Sequence, residues 1–325
     1  MAEGFEDWSV SPEARPKPDD YAFDLDWALS SVVALQASVP SDAFTAEALG
    51  RERIGHGVLI REDGVVLTIG YLITEADQVS LTTGDGRTVP GHVLGYDQGT
   101  GFGLVQALEP LHIPALPMDE SQHAPVGERV ILGGAGGRSR SVAARIVARQ
   151  EFAGYWEYLL DEAIFTLPAH PLWSGSPLIG PTGKLLGVGS LLLQHQGQGG
   201  QVMPLNMVVP IELLQPIFED LLTGGAALPA RPWLGLFAQE VDDHVVLVGT
   251  AGDGPARRAG LREGDVILAV DGSEVSSLAE LYRGLWSLGE AGVEAPLTLD
   301  REGDVFDVRL TSRDRRQFLR TPRLH

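Results

Sequence analysis

The sequence predicts a mainly β fold divided into two domains. From residue 31 to residue 208, short runs of valine, leucine and isoleucine alternate with glycine, aspartate and proline, a pattern typical of β-sandwiches and barrels. Glycine-containing turns at 62–64, 84–87 and 180–183 stand where hairpins require them. The chain has 325 residues, of which 44% are hydrophobic, and this length suffices for two ordinary cores.

The first domain is predicted over residues 23–223, after an acidic segment at 1–22. That segment is expected to be flexible because its prolines and acids leave little apolar surface to bury. A short amphipathic helix is expected at 24–31. Twelve strands then follow, a number that suits a double barrel. They are predicted at 31–37, 57–60, 65–69, 78–82, 88–96, 102–107, 129–133, 141–148, 158–166, 177–179, 185–192 and 201–208.

A helix at 210–223 is predicted to end this domain, because its apolar residues recur at helical spacing and glycines follow it. A linker of small residues at 224–231 leads to the second domain at 232–312, which combines strands with one clear helix at 278–288. An arginine-rich tail at 313–325 closes the chain. This tail could stay solvated, or dock on the acidic body or on an acidic partner.

Charge and composition exclude several classes of function. The net charge of −20 repels nucleic acid and anionic lipid headgroups, and the absence of cysteine excludes thiolate nucleophiles and disulfides. No stretch approaches the roughly 20 apolar residues that span a bilayer, so membrane insertion is not expected. The first 25 residues lack the features of a signal peptide, which predicts a cytoplasmic protein as the sequence stands, and a periplasmic one only if a signal was removed. No cofactor is predicted.

Two sets of motifs carry a family resemblance. In the first domain these are GHGVLI at 55–60 with Asp63-Gly64, LPM at 116–118 leading to VGERV at 126–130, SGSPL at 174–178 with Gly187, and VPI at 209–211. In the second domain they are WLGL at 233–236 and PARRAGLREGDVILAVDG at 255–272. The chain thereby resembles HtrA/Deg proteins. The resemblance implies a chymotrypsin-like double β-barrel followed by a PDZ domain, the latter of α+β type.

Serine proteolysis needs a hydroxyl nucleophile, an imidazole base, a carboxylate that orients the base, and N–H groups for the oxyanion. By the resemblance, Ser174 stands at the nucleophile position, although a turn serine would look the same. Tyr71 stands where the family has histidine, and Gly101 where it has aspartate. A phenol with a pKa near 10 is a poor general base at neutral pH.

The oxyanion hole is also altered, because His170-Pro-Leu172-Trp-Ser174 replaces the family's Asn-Pro-Gly-Asn-Ser. Leu172 would pay a steric cost for the positive φ that aims the N–H inward, so this N–H is expected to point elsewhere. Base, orienter and donor are thus all changed. His56 or His170 could act as a replacement base. Alternatively, each could simply fill space or form a hydrogen bond within a turn.

The other histidines are isolated and show no spacing typical of metal ligands, so no metal site is predicted. They are His92, His112, His123, His195, His244 and His325.

In the PDZ domain, the resemblance implies that the loop at Trp233 presents the N–H groups of Leu234, Gly235 and Leu236 to a peptide's terminal carboxylate. An apolar pocket should receive the last side chain, so proteins or peptides with apolar C-termini are the expected partners. For Leu281 and Leu285 a purely structural place in the core remains equally open. The residues expected to line the pocket are Leu236, Leu278, Leu281, Tyr282 and Leu285.

These observations predict a catalytically inactive HtrA-like pseudoprotease that acts as a protein-binding scaffold or chaperone-like adaptor in protein quality control. An active serine endopeptidase using Ser174 with His56 or His170 is a first alternative. A structural subunit of a larger assembly, with its groove empty or filled by the tail at 313–325, is a second. The resemblance also implies a trimer, for which Tyr21, Phe23 and Trp27 are candidate contacts.

Overall fold

The computed structural model describes residues 8–196, 200–224 and 229–320. Within them, one compact unit takes in residues 8–150, 162–196 and 200–224, and a second takes in residues 151–161 and 229–320. Residues 151–161 group with the second unit, and the predicted domain bounds stay a prediction. The linker residues 225–228 lie outside the described part of the chain.

Two closed antiparallel barrels form the first unit, which confirms the predicted fold class. The first barrel has the hydrogen-bonded order β1-β2-β3-β6-β5-β4, and the second has the order β10-β11-β12-β9-β8-β7. The strands of the first are β1 (Val32–Ser38), β2 (Glu52–Leu59), β3 (Val65–Ile69), β4 (Gln78–Thr82), β5 (Thr88–Tyr96) and β6 (Phe102–Ala107). Those of the second are β7 (Arg129–Leu132), β8 (Val142–Gly154), β9 (Tyr158–Leu167), β10 (Pro177–Ile179), β11 (Leu185–Gln196) and β12 (Val202–Pro210).

All twelve predicted strands of this unit are present, and five of them have the predicted bounds. The largest differences are at β2, which begins five residues earlier than predicted, and at β8, which ends six residues later. The additional residues of β8 are mostly exposed or half-buried. They form strand without contributing the apolar alternation from which strands are recognised in a sequence.

The segment preceding the first barrel is attached to the protein from residue 8 onward, so the prediction of a flexible segment at 1–22 is wrong for that part. Val10 is buried in the core of the second barrel, with Trp8 packed beside it, and the Val10 N–H donates to the carbonyl of Ser139 at 2.9 Å. Burial of these two apolar side chains offsets the entropy lost by ordering the segment. Residues 1–7 lie outside the described part of the chain.

Short helical elements complete the first unit. The predicted helix at 24–31 is confirmed as α1 (Leu25–Ser30), whose first turn is capped by the Asp24 carboxylate accepting from the Trp27 N–H at 2.9 Å. Trp27 is exposed, and the trimer contacts stay a prediction. Further short elements are the helix α2 (Ala46–Leu49) and 3-10 turns at Pro12–Ala14, Pro18–Asp20, Gly70–Leu72, Ser121–His123 and Gly137–Arg140.

The continuous helix predicted at 210–223 is not formed. The structure has 3-10 turns at Ile211–Leu213 and Gln215–Ile217, followed by α3 (Phe218–Leu222). Pro216 explains the interruption, because proline lacks an N–H and restricts the residue before it. The apolar periodicity still marks the buried face. Its buried residues are Ile211, Leu214, Ile217 and Leu221.

In the second unit, a sheet of order β13-β14-β15-β17-β18, with β16 paired to β15, packs with two helices. The strands are β13 (Leu236–Val241), β14 (His244–Thr250), β15 (Val266–Val270), β16 (Ser273–Glu274), β17 (Glu294–Arg301) and β18 (Asp304–Thr311). The helices are α4 (Pro255–Arg258) and α5 (Leu278–Ser287). The predicted helix at 278–288 is confirmed as α5, capped by Ser277.

The beginning of the arginine-rich tail packs within this unit instead of staying solvated. Arg313 pairs backbone to backbone with Trp233, and the Phe318 ring, in a 3-10 turn at Arg315–Phe318, lies 4.9 Å from the Trp233 ring. The apolar Phe318 drives this contact, whereas the sequence interpretation weighed only the charges. Residues 321–325 lie outside the described part. Every helix that the structure describes is too short or too polar to cross a membrane.

Candidate active site and peptide groove

Ser174 lies on a tight turn between β9 and β10 that is packed directly against β2. Its carbonyl accepts from the His56 N–H at 2.7 Å. The next residue, Gly175, has a φ of 75°, and a Cβ at that position would lie 1.9 Å from the His56 carbonyl oxygen. Only glycine satisfies both the positive φ and this close approach. The SGSPL motif therefore fixes the backbone on which the Ser174 hydroxyl is held.

The group that meets this hydroxyl is the phenol of Tyr71. Oη of Tyr71 lies 2.7 Å from Oγ of Ser174 and also 2.7 Å from the carbonyl oxygen of Ser190. The Trp173 indole donates to the same carbonyl at 3.1 Å. Tyr71 and Ser174 come from different barrels, and the structure brings them together across 103 residues of sequence.

Proton chemistry at this pair is unfavourable for a nucleophile. Burial raises the pKa of Tyr71 above the ordinary value, and the hydrogen bonds to Ser174 and Trp173 offset this only in part. The phenol is protonated at neutral pH and carries a single proton, which it can donate to Ser174 or to Ser190. In either arrangement it is not a base that accepts the serine proton.

Gly101, at the predicted carboxylate position, contributes only backbone. It has a φ of 86°, and its carbonyl accepts from the Gly70 N–H at 2.6 Å. The nearest acid along the chain is Asp97, whose Oδ2 accepts from the Thr100 N–H at 2.6 Å and so caps the turn before β6. The Gly101 position therefore offers no side chain that could orient a base.

At the predicted oxyanion position, the Leu172 N–H donates to Nδ1 of His170 at 3.1 Å. Leu172 is not among the non-glycine residues with positive φ in the part of the chain that the structure describes. The other His170 nitrogen, Nε2, lies 2.7 Å from the Arg140 carbonyl, which can only accept, so the imidazole proton is on Nε2. Both ring nitrogens of His170 are thus engaged by backbone groups.

Both candidate replacement bases are buried and weakly basic. Burial lowers the pKa of His56 to about 3 and that of His170 to about 4. Their rings pack edge to face at 5.5 Å, and the Trp8 ring lies 5.4 Å from that of His170. This aromatic cluster links the segment before the first barrel to the backbone behind Ser174. Among the described residues, no group of three His, Asp or Glu side chains could hold a metal ion.

The second unit contains the loop predicted to bind a terminal carboxylate, and a carboxylate of this chain lies in it. Oε1 of Glu157 accepts from the N–H groups of Gly235 at 2.6 Å and Leu236 at 2.8 Å. The Leu234 N–H lies 3.1 Å and 3.2 Å from the two carboxylate oxygens. Sequence reasoning missed Glu157, because no local motif places a hairpin residue 77 to 79 positions before its partners.

The predicted pocket residues belong to the core of this unit. Leu281, Leu285 and Tyr282 are fully buried, and Leu278, Leu236 and Trp233 are nearly so. The Tyr282 hydroxyl donates to the Gly154 carbonyl at 2.7 Å. Burial fits the structural interpretation of Leu281 and Leu285, and contact of any of these side chains with a peptide stays a prediction.

Comparisons with known proteins agree with this architecture. The family model for a trypsin-like peptidase domain matches residues 55–188, and that for a PDZ domain matches residues 232–311. A probable periplasmic serine endoprotease, DegP-like, of Pseudomonas fluorescens is 29% identical over 273 residues, which cover 80% of this chain and 56% of the relative. A protein of the same description from Chlamydia pneumoniae is 25% identical over 275 residues, covering 79% and 54%.

The chain therefore spans a little over half the length of the curated relatives it matches. Among solved structures, the HtrA-type protease AlgW with a decapeptide aligns with a TM-score of 0.54 and 20% identity, covering 93% of this chain and all of the other. The serine endoprotease from Yersinia pestis aligns with a TM-score of 0.53 and 20% identity, covering 90% and 98%. At this level of identity the structures establish the fold.

Proposed function

The chain belongs to the HtrA/Deg family, and from this premise we propose that it is a pseudoprotease, which binds protein chains without cleaving them. The observation that carries the proposal is the 2.7 Å contact of the Ser174 hydroxyl with the Tyr71 phenol. A serine hydroxyl becomes nucleophilic when a neighbour accepts its proton near neutral pH. A phenol whose pKa is raised by burial holds its own proton instead.

The changes at Gly101 and Leu172 act in the same direction. Without a carboxylate at residue 101, an imidazole introduced near Ser174 would lack an orienting partner. With its N–H donated to His170, Leu172 does not supply a hydrogen bond to a developing oxyanion. A complete triad contributes on the order of 10⁶-fold to kcat, and one oxyanion donor contributes about 10²–10³-fold. Losing these groups together leaves little catalysis.

Rescue by either buried histidine has little support. His170 uses Nε2 and Nδ1 on the backbone groups of Arg140 and Leu172. His56 has its pKa lowered to about 3, so at neutral pH its drive to take a proton is small. A base needs both reach to the hydroxyl and a suitable pKa, and each histidine falls short on the second requirement.

Protein binding is the function that remains for this architecture. The converging N–H groups of Leu234, Gly235 and Leu236 are suited to a carboxylate, as Glu157 demonstrates, and β13 is an edge strand to which an extended peptide can add. We expect the partners to present apolar C-termini. In this proposal the barrels serve as an additional docking surface.

Reaction with a fluorophosphonate probe tests the catalytic half of the proposal. The wild-type chain and its Ser174→Ala control should show the same background labelling, and neither should digest casein, because the hydroxyl is not activated. Labelling of the wild-type chain that disappears in Ser174→Ala would contradict the proposal and favour an active endopeptidase.

Fluorescence anisotropy tests the binding half. A labelled decapeptide with a free carboxyl-terminal valine should bind, and its carboxyl-terminal amide should bind at least about tenfold more weakly, because it lacks the charge that the loop N–H groups stabilise. Equal affinity for the acid and the amide would contradict recognition of a chain end.

A further inference from the structure

The tip of the β8–β9 hairpin lies where a bound peptide would add to the second unit. β13 is at the end of the sheet, paired with β14 on one side only. On the other side, the Ala238 N–H of β13 donates to the Tyr155 carbonyl at 3.0 Å, and the Tyr155 ring packs on that of Phe237 at 5.9 Å. An added peptide strand would use these same edge groups.

The Glu157 carboxylate, two residues further on, takes the place of a peptide's terminal carboxylate. It accepts from all three loop N–H groups, with distances of 2.6 Å to Gly235, 2.8 Å to Leu236 and 3.1 Å to Leu234. Glu157 has a φ of 59°, a conformation that is uncommon for a non-glycine residue. The backbone thus adopts a costly turn at the residue whose side chain fills the loop.

Neighbouring residues hold the hairpin tip in this position. Leu159 is buried within the core of the second unit, with Ala153 packed against it. Tyr282 of α5 donates to the Gly154 carbonyl at 2.7 Å and accepts from the Glu157 N–H at 3.2 Å. Arg283 pairs with Glu151 at 2.5 Å and also with Asp161, although these exposed pairs contribute little energy.

We propose that residues 153–159 are an internal ligand of the PDZ groove, and that an incoming chain end must displace Glu157 from the loop before it can bind. The groove is therefore autoinhibited by a segment of its own chain. This inference rests on the proposed peptide-binding function and adds a regulatory step to it. It also replaces the alternative in which the arginine-rich tail fills the groove.

Competition of this kind weakens binding by a calculable factor. The apparent dissociation constant is the intrinsic constant divided by the fraction of molecules with an open groove. A segment of the same chain acts at an effective concentration in the millimolar range. If the groove is open in about one molecule in ten, peptide affinity falls about tenfold.

Amide hydrogen exchange of the full chain, without any peptide, tests the internal contact directly. The informative variant is Glu157→Gly, because glycine removes the carboxylate and accepts the positive φ of this turn. Exchange at Leu234, Gly235 and Leu236 should be slow in the wild type and at least about tenfold faster in Glu157→Gly. The exposed Glu263→Gly, which removes the same charge from the same unit, should leave exchange unchanged.

Anisotropy with the labelled valine-ended decapeptide tests the consequence. Glu157→Gly should bind it at least about tenfold more tightly than the wild type. Equally fast exchange in wild type and Glu157→Gly, or unchanged affinity, would overturn the inference. If no variant binds the peptide, the proposed function fails, while the exchange rates still decide whether Glu157 occupies the loop.

Discussion

At residue 71 a tyrosine and a histidine differ in their use of protons at neutral pH. Oη of Tyr71 sits 2.7 Å from Ser174 Oγ, a distance at which an imidazole nitrogen would act as a base. The phenol instead keeps its proton, which it shares in a hydrogen bond with Ser174 or with the Ser190 carbonyl, and so it does not take up the serine proton. The contact thus places a polar group beside the serine hydroxyl without placing a base there.

Restoring the altered positions should recover reactivity in steps. Tyr71→His alone should remain unreactive to a fluorophosphonate probe, because Gly101 cannot orient the new imidazole. Tyr71→His/Gly101→Asp should react slowly, since aspartate tolerates the positive φ of that position. Adding Leu172→Gly should raise the rate by a further factor of about 10²–10³, the value of one oxyanion donor. Labelling kinetics measure each step.

The corresponding triple variant with Ser174→Ala is the control and should stay unlabelled. If Tyr71→His alone reacted as fast as the triple variant, the assignment of Gly101 and Leu172 to the missing functions would be wrong.

Tyr71, Leu172 and Ser174 could be singled out in the sequence because each lies in a local motif with fixed spacing to its neighbours. Ser174 and Leu172 share one turn, and Tyr71 lies two residues after the end of β3. The contact between Ser174 and Tyr71 spans 103 residues, but the fold that the motifs imply brings these two residues together. What the sequence did not reveal was that His170 accepts the Leu172 N–H, since this depends on a side-chain rotamer.

Among the elements, the β8–β9 hairpin departs most from the sequence interpretation. Its arms were predicted, but its tip groups with the second unit, and the contact of Glu157 with the loop comes from tertiary packing.

The helix predicted at 210–223 differs for a reason that the sequence does contain, namely Pro216. There the interruption of the predicted helix was readable from one residue, because proline removes an N–H wherever it stands, but the apolar periodicity outweighed it in the prediction.

The hairpin tip should dock more weakly as pH rises. Burial raises the pKa of Glu157 to about 7, while the N–H groups of Leu236, Leu234 and Gly235 and the charge of Arg315 lower it. Its ordinary pKa is 4.5. Between these two pH values the docked state therefore binds more protons than the undocked state, so docking is fully favoured below 4.5 and weakens through 7.

The Tyr282 phenol of α5 and Glu240 of β13 also lie near this site. The pKa of Tyr282 is raised by burial and by the charges of Glu157 and Glu240, so the phenol stays neutral over this range. Exchange of the three loop amides, corrected for intrinsic rates, should accelerate by about tenfold or more from pH 5 to pH 8. Glu157→Gln should abolish this dependence, and its persistence in that variant would exclude Glu157 as the titrating group.

Considered as a whole molecule, the fold was predictable because its two halves follow simple rules. Twelve β-rich segments closed into two barrels, and the signal was the short runs of valine, leucine and isoleucine separated by glycine, aspartate and proline. The segment before the first barrel was not predictable, because its charges and prolines outnumber Trp8 and Val10, and two apolar residues are too few to form a recognisable pattern. Their burial couples this segment to the second barrel.

The aromatic cluster of Trp8, His56 and His170 should make the stability of the protein sensitive to acid. His56 and His170 are fully buried, with pKa values lowered to about 3 and about 4 from 6.5. Below pH 6.5 these histidines take up protons in the unfolded chain but not in the folded chain. The free energy of unfolding therefore has its full value above pH 6.5 and decreases as the pH falls toward their pKa values in the folded protein. Each histidine should cost about 2 kcal/mol between pH 8 and pH 5.

Urea unfolding at pH 8 and pH 5 measures this loss. His56→Gln/His170→Gln should reduce the difference between the two pH values, even if the variant is less stable at both, because glutamine does not titrate. His195→Gln, at an exposed position of β11, should keep the wild-type difference. A double variant as acid-sensitive as the wild type would mean that groups other than His56 and His170 govern unfolding in acid.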